Sequence, residues 1–184
     1  MLDVEGFILV GGRSSRMGTD KSLMQFDGQT SVERMAAELR SITPRISLVG
    51  TGRAGFDPDL RIIPDTHEQW GALGGIHAAL GACVADWALI VACDLPFVTR
   101  DLCARLLTLS QLQSPDAVVP IQPDGRPQPL CALYRREPCQ LEAEAFALAL
   151  SNLRQVTSEL GRVWLIVGAA CMAAGVRGRS SCTS

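Results

Sequence analysis

The segment with the greatest chemical potential is Gly11-Gly12-Arg13-Ser14-Ser15-Arg16-Met17-Gly18-Thr19-Asp20-Lys21. Glycines 11, 12 and 18 carry no Cβ, so backbone N–H groups can converge on an anion as a nest. Arg16 offers a planar fork suited to bidentate contact with a phosphate. Lys21 offers a compact ammonium that can neutralise charge as a P–O bond breaks. Of the 17 basic residues, Lys21 is the one lysine and all others are arginine. A chain that otherwise uses the guanidinium fork therefore places its single point charge inside the glycine loop. The loop is not a Walker P-loop, because Thr19 and Asp20 separate Gly18 from Lys21, and it is not a Gly-x-Gly-x-x-Gly turn. An ordinary solvated Gly/Ser turn is the plain alternative. Arg16, Lys21 and the apolar run before the loop favour phosphate binding.

Two carboxylates stand at comparable places. Asp94 follows the very apolar run Trp87-Ala88-Leu89-Ile90-Val91-Ala92-Cys93 and precedes Leu95-Pro96. A carboxylate there is costly to desolvate unless paired or metal-bound. Mg²⁺ suits it, since that ion takes one or two carboxylates and completes its shell with substrate phosphates and waters; a helix cap or salt bridge is equally open. Asp65, in Ile63-Pro64-Asp65-Thr66, contacts nucleotide or metal, or caps a turn, and from the residue alone the turn is favoured. His67 and His77 lack metal-ligand spacing with each other; contact with substrate is open to either, but a hydrogen-bonding role at the surface or in the core is favoured. The 7 cysteines, an odd number without a Cys-x-x-Cys pair, read as reduced core thiols rather than zinc ligands or disulfides. No Gly-x-Ser-x-Gly elbow follows a strand, which removes a serine hydrolase from consideration.

The elements that must hold these residues follow from periodicity. Phe7-Ile8-Leu9-Val10 is a continuous apolar run, as expected of a strand buried on both faces. Thr30 and Glu33 form a capping box ahead of a helix of about three turns, with Val32, Met35, Ala36 and Leu39 on one face. Ile46–Val49 and Leu60–Ile63 read as the next strands. Gly71-Ala72-Leu73-Gly74-Gly75 opens a small-residue helix through Ile76, Ala79 and Leu80. Trp87–Cys93 is the strongest strand, Thr99 caps the helix after it, and Ala117–Ile121 and Leu130–Tyr134 are strands joined by a turn around Gly125. Residues 137–150 read as helix. This alternation predicts an α/β domain with a mostly parallel, mixed sheet in which one late strand runs antiparallel. The glycine loop, Asp65 and Asp94 all fall at carboxyl ends of strands, where such sheets bind ligands. Residues 1–167 read as a single domain and 168–184, rich in small residues and arginine without an amphipathic period, as a divergent, disordered tail.

Composition narrows the class further. Hydrophobic residues make up 47% and charged residues 20%, as in a soluble globular protein. A net charge of −2 supplies no broad phosphate-neutralising surface, which argues against nucleic-acid binding. The acidic start and the short apolar run 163–174 argue against a secretory signal and a membrane span, so a cytoplasmic protein is expected.

The run Leu9-Val10-Gly11-Gly12-x-x-Ser15-Arg16-Met17-Gly18-x-Asp20-Lys21 resembles the signature of the molybdopterin nucleotidyltransferases, and within them the molybdenum cofactor guanylyltransferases. The resemblance continues through Gly71-Ala72-Leu73-Gly74-Gly75-Ile76, similar to that family's Gly-Pro-Leu-Ala-Gly-Ile, then Cys93-Asp94-Leu95-Pro96 and Gln128-Pro129-Leu130-Cys131-Ala132-Leu133-Tyr134. It implies a three-layer Rossmann-like sandwich of the nucleotidyltransferase type. It also implies a reaction, in which the terminal phosphate of molybdopterin attacks the α-phosphorus of GTP, releasing pyrophosphate and forming the guanine dinucleotide cofactor. On this resemblance Lys21, Arg16 and Asp94 would be catalytic. Leu9, Val10, Gly11, Gly12, Lys21, Gly50, Asp65 and Asp94 would bind the nucleotide, with Lys21 on its phosphates, Asp65 on the guanosine and Asp94 holding Mg²⁺. Partners would be the two small-molecule substrates and, transiently, molybdoenzymes or other cofactor-synthesis proteins. This chain departs from the pattern at three places. Val10 replaces alanine, Gly50 stands where an asparagine is usual, and no Asn-x-Asn-Thr-Pro-type segment occurs near the end.

Two other readings stay open from the residues. One is a cytidylyltransferase or other small nucleotidyltransferase, against which Val10-Gly11-Gly12 and Gly74-Gly75-Ile76 lean toward guanine. The other is a non-catalytic nucleotide-binding carrier of the cofactor, against which the presence of Arg16, Lys21 and Asp94 weighs.

Overall fold

The structure is a computed structural model. It describes residues 2–10, 25–26, 28–51, 56–65, 67, 70–95, 98–111, 115–122, 124–137, 139 and 163–167. Strand β1 (Val4–Leu9) leads through a two-stranded ribbon, β2 (Gln25–Phe26) and β3 (Gln29–Thr30), into α1 (Ser31–Arg40), followed by β4 (Ile46–Val49) and β5 (Arg61–Ile63). Then come α2 (Ala72–Ala82), β6 (Trp87–Ala92), α3 (Arg100–Ser110), β7 (Ala117–Ile121), β8 (Cys131–Arg135) and β9 (Val163–Val167).

The main sheet has seven strands in the order β5-β4-β1-β6-β8-β7-β9. The pairs β5–β4, β4–β1, β1–β6 and β7–β9 are parallel, whereas β8 is antiparallel to both β6 and β7. The expected mixed sheet with one reversed strand is therefore present, and β8 is the reversed strand. The turn that permits the reversal is closed by backbone bonds from Gly125 N–H to Gln122 O and from Gln128 N–H to Pro120 O. Two elements were not anticipated. The β2–β3 ribbon lacks an alternating run long enough to announce it, and β9 occupies part of the apolar stretch that was weighed only as a membrane candidate. Among the described residues no helix is long and apolar enough to cross a membrane. Residues 140–150, expected to be helical, and the tail 168–184 lie outside the described residues.

Side chains alternate across the sheet and divide the core in two. Ile8, Leu48, Leu89, Val91 and Leu133 pack with α1 and α3 on one face. Phe7, Leu9, Val49, Ile90 and Ala132 pack with α2 on the other. Both faces are covered, which is why Phe7-Ile8-Leu9 of β1 and the whole of β6 read as unbroken apolar runs, and both strands are buried throughout. Helix α1 begins where the Thr30 hydroxyl accepts from Glu33 N–H at 3.2 Å and the Glu33 carboxylate accepts from Thr30 N–H at 2.8 Å. This is the anticipated capping box, and it satisfies two otherwise orphaned donors. Thr99 caps α3 by accepting from Leu102 N–H at 3.4 Å, and Glu38 of α1 accepts from Arg100 N–H at 2.7 Å, tying the two helices.

Candidate functional site at the carboxyl edge of the sheet

The chain runs outward from β1 through β4 to β5, then crosses back through α2 to β6 on the other side of β1. That reversal is a topological switch point, and it lies beyond the carboxyl ends of the strands, where α/β sheets hold ligands. A row of backbone bonds ties those ends together. Gly50 N–H donates to Ile63 O at 2.9 Å, Val10 N–H to Val49 O at 2.9 Å, and Cys93 N–H to Leu9 O at 3.0 Å. Asp65, Gly50, Val10 and Asp94 thus follow four adjacent strands on one edge. Ala92 N–H also donates to Leu130 O at 2.8 Å, which brings the start of β8 to the same edge. Gly11, Gly12, Arg16 and Lys21 follow Val10 and lie outside the described residues.

Leu9 and Val10 point to opposite faces and both are buried. Leu9 packs under α2, where a Cβ on Gly75 would meet its methyl groups at 3.3 and 3.4 Å. Gly50 has φ of 130°, a conformation that L side chains rarely adopt. An asparagine would be strained at this backbone, so the glycine ends β4 by its geometry and presents no side chain to a base.

Asp94 is exposed, in the turn after β6, where Leu95 N–H returns to Ala92 O at 3.2 Å. The expectation of a carboxylate forced into apolar surroundings is therefore corrected. The apolar strand stops at Cys93, and Asp94 projects past it into the edge, so burial does not compel a cation. A single exposed carboxylate still suits an ion whose remaining ligands are phosphates and waters. Among the described residues no group of three or more His, Cys, Asp or Glu side chains is arranged to hold a metal by itself.

Asp65 is half-buried, and its Oδ1 accepts from His67 N–H at 2.8 Å, an Asx turn. The turn role expected from the residue alone is thus present. Three strand spacings separate β5 from β6, about 14 Å at the usual ~4.8 Å spacing. Asp65 and Asp94 accordingly stand too far apart to share one ion.

Packing beside Asp65 was not anticipated. The His67 ring stacks on Trp70 with centroids 3.7 Å apart and planes within 8°, and Trp70 N–H donates to His67 O at 2.8 Å. His77, on α2, meets both rings edge-on at 5.2 and 5.7 Å. A Cβ on Gly74 would collide with His67 O and lie 2.7 and 3.0 Å from the two Asp65 carboxylate oxygens. The available signal was a helix that spends two consecutive glycines near its start, at a cost in helix propensity of about 1 kcal/mol each.

The described cysteines, Cys83, Cys93, Cys103, Cys131 and Cys139, are buried, in keeping with core thiols. Burial pushes the Cys83 thiol up to about 11 and those of Cys103 and Cys131 up to about 12, which disfavours the thiolate that zinc or nucleophilic chemistry needs.

The chain is similar to known proteins in sequence and in fold. A probable molybdenum cofactor guanylyltransferase of Pelotomaculum thermopropionicum is 36% identical over 137 residues, covering 74% of this chain and 65% of the relative. The chain thus spans about two thirds of that protein's length. One of Methanothermobacter thermautotrophicus is 35% identical, covering 81% and 78% of the respective chains. The solved structure of molybdopterin-guanine dinucleotide biosynthesis protein A from Archaeoglobus fulgidus superposes with a TM-score of 0.72 over 91% of this chain and 85% of its own at 23% identity, a likeness of fold. The MobA-like NTP transferase domain family matches residues 6–163, most of the described sheet, and the chain belongs to that family.

Proposed function

We propose that the protein transfers GMP from GTP to molybdopterin, forming the molybdopterin guanine dinucleotide cofactor and releasing pyrophosphate. The observation that carries this reading is the row of strand ends at the switch point, where Asp65 and Asp94 stand about three strand spacings apart on either side of the glycine loop's entry. Such a span suits a nucleotide lying along the edge, guanosine toward Asp65 and triphosphate toward Asp94. The relatives are molybdenum cofactor guanylyltransferases by name, which supports guanine and molybdopterin as substrates.

Two anionic reactants must meet, so the chain's contribution is alignment and charge neutralisation, with no protein nucleophile. The acceptor phosphate oxygen forms a bond to the α-phosphorus of GTP as the bond to the bridging oxygen breaks, and pyrophosphate leaves with that electron pair. Lys21 and Arg16 counter the charge that moves onto the leaving group. Gly11 and Gly12 allow backbone N–H groups to approach the phosphates, and Gly50 and Asp65 border the nucleoside. Asp94 is the residue that would hold Mg²⁺. When bound, that ion screens the triphosphate and polarises its P–O bonds. The acceptor's side is served by the loop 124–128 and the start of β8, which share the edge.

Cytoplasmic location is supported by the buried free thiols of Cys83, Cys103 and Cys131, since a reducing compartment leaves cysteines unpaired. Delivery of the product implies transient contact with molybdoenzymes or other cofactor-synthesis proteins. The test is pyrophosphate release from GTP with molybdopterin and Mg²⁺, with CTP, UTP and ATP in parallel. Release from GTP alone is expected. Release from CTP alone would reassign the protein to the cytidylyl reaction, and GTP binding without turnover would make it a carrier.

A further inference from the structure

We propose that His67, Trp70 and His77 are positioning residues for the Asp65 carboxylate, so that nucleotide affinity depends on a ring cluster resting on α2. The inference rests on the reading above, in which Asp65 meets the nucleoside.

The turn from Asp65 to Trp70 has two ends with different work. At one end the carboxylate stands at the carboxyl edge, its Oδ1 occupied by His67 N–H at 2.8 Å. At the other end the His67 and Trp70 rings lie flat against each other at 3.7 Å. One residue, His67, belongs to both ends, because its backbone N–H orients Asp65 while its ring is held by Trp70. Whatever fixes that ring fixes the carboxylate.

His77 fixes it from the helix. Its ring stands edge-on to His67 at an interplanar angle of 69° and to Trp70 at 76°, the geometry aromatic quadrupoles favour. Three residues earlier on the same helix face, Gly74 presents bare backbone to the His67 carbonyl and the Asp65 carboxylate. The turn therefore sits on α2 at two points, a glycine under the carboxylate and an imidazole against the rings. His77 Nδ1 is buried without a hydrogen-bond partner among the described residues. Leaving a buried polar atom unpaired is unfavourable, so a ring chosen for stability alone would be apolar here. What His77 contributes to the cluster is its aromatic edge, set against both rings, and a phenyl ring would supply the same edge.

Equilibrium binding of GTP with Mg²⁺, without acceptor, tests this in His77→Ala, His77→Phe, Asp65→Asn and the His77→Ala/Asp65→Asn double variant. His77→Gln replaces His77→Ala should the latter not fold. His77→Ala is expected to weaken GTP binding about tenfold, and His77→Phe, which keeps an aromatic edge, to restore it to within about twofold. Asp65→Asn is expected to weaken binding, and the double variant to be no weaker than Asp65→Asn, because a positioning residue has nothing left to position. Weakening by Asp65→Asn together with unchanged affinity in His77→Ala, or additive losses in the double variant, would overturn the positioning role alone. Unchanged binding in Asp65→Asn would overturn both that role and the guanosine contact.

Discussion

Replacement of Gly74 by alanine isolates the close approach that seats Asp65. The added Cβ would collide with the His67 carbonyl oxygen and lie 2.7 Å from Asp65 Oδ1. Atoms at rest pack at about 3.5 Å, so turn and helix must part by about 1 Å. The crowding neighbours are a backbone carbonyl and a carboxylate already held by His67 N–H, and neither is the free end of a flexible side chain. Overpacking of this kind costs about 1–3 kcal/mol. Alanine in place of glycine inside a helix returns about 1 kcal/mol. The net loss is about 0–2 kcal/mol, and for a chain of this size each kcal/mol lowers Tm by about 2–4 °C. Stability should thus change little. The displaced carboxylate should cost much more in function, since misplacement by about 1 Å can cost on the order of 10²-fold in a positioned reaction. Thermal melting paired with pyrophosphate-release kinetics reads both quantities. The expected result is a Tm within about 8 °C of wild type with kcat/KM for GTP down at least tenfold. The resembling family segment carries alanine at this place, so the result also shows whether the ring cluster draws this chain's turn closer. A folded Gly74→Ala protein with kcat/KM for GTP within twofold of wild type would refute the argument.

Lys21→Ala and Asp94→Asn should each lower turnover at least about 10²-fold with an unchanged melt, because a neutralising charge at phosphoryl transfer acts on the barrier and not on the fold; an unchanged steady-state rate would remove that residue from the mechanism. Tyr134→Phe should cost about 1–2 kcal/mol in chemical denaturation, since the buried hydroxyl donates to Pro129 O at 2.8 Å and its loss orphans a carbonyl at the start of β8. The Thr30 contacts hold the Glu33 carboxyl below its ordinary value, chiefly through the backbone bond and then the hydroxyl. A depressed carboxyl contributes stability that is present above pH 4.5 and lost as pH falls through the folded value, so Thr30→Ala should flatten the acid limb of the melting profile. The buried thiols have raised values, so their contribution is complete below about pH 9.0 and lost as pH climbs toward 11 and 12, and thiol reagents at pH 8 should leave Cys83, Cys103 and Cys131 unmodified by peptide mass mapping until the protein is unfolded.

The amino-acid sequence alone determined the features whose causes are local. Thr30 and Glu33 lie three residues apart and bond each other, so the start of α1 was legible without any tertiary contact. The unbroken apolar runs at residues 7–10 and 87–93 announced strands covered on both faces, and a turn centred on Gly125 announced the reversal at β8. Family membership was legible too, because motifs are strings of neighbours. Only the tertiary structure decided the order of strands, the inclusion of β9 beside β7, and the exposure of Asp94. It also brought His77 against residues ten and seven positions earlier, under a glycine whose missing Cβ makes room for the Asp65 carboxylate. Strand order and ring packing depend on which surfaces meet after the chain has turned back on itself, and residues distant along the chain carry no periodic signal of that meeting.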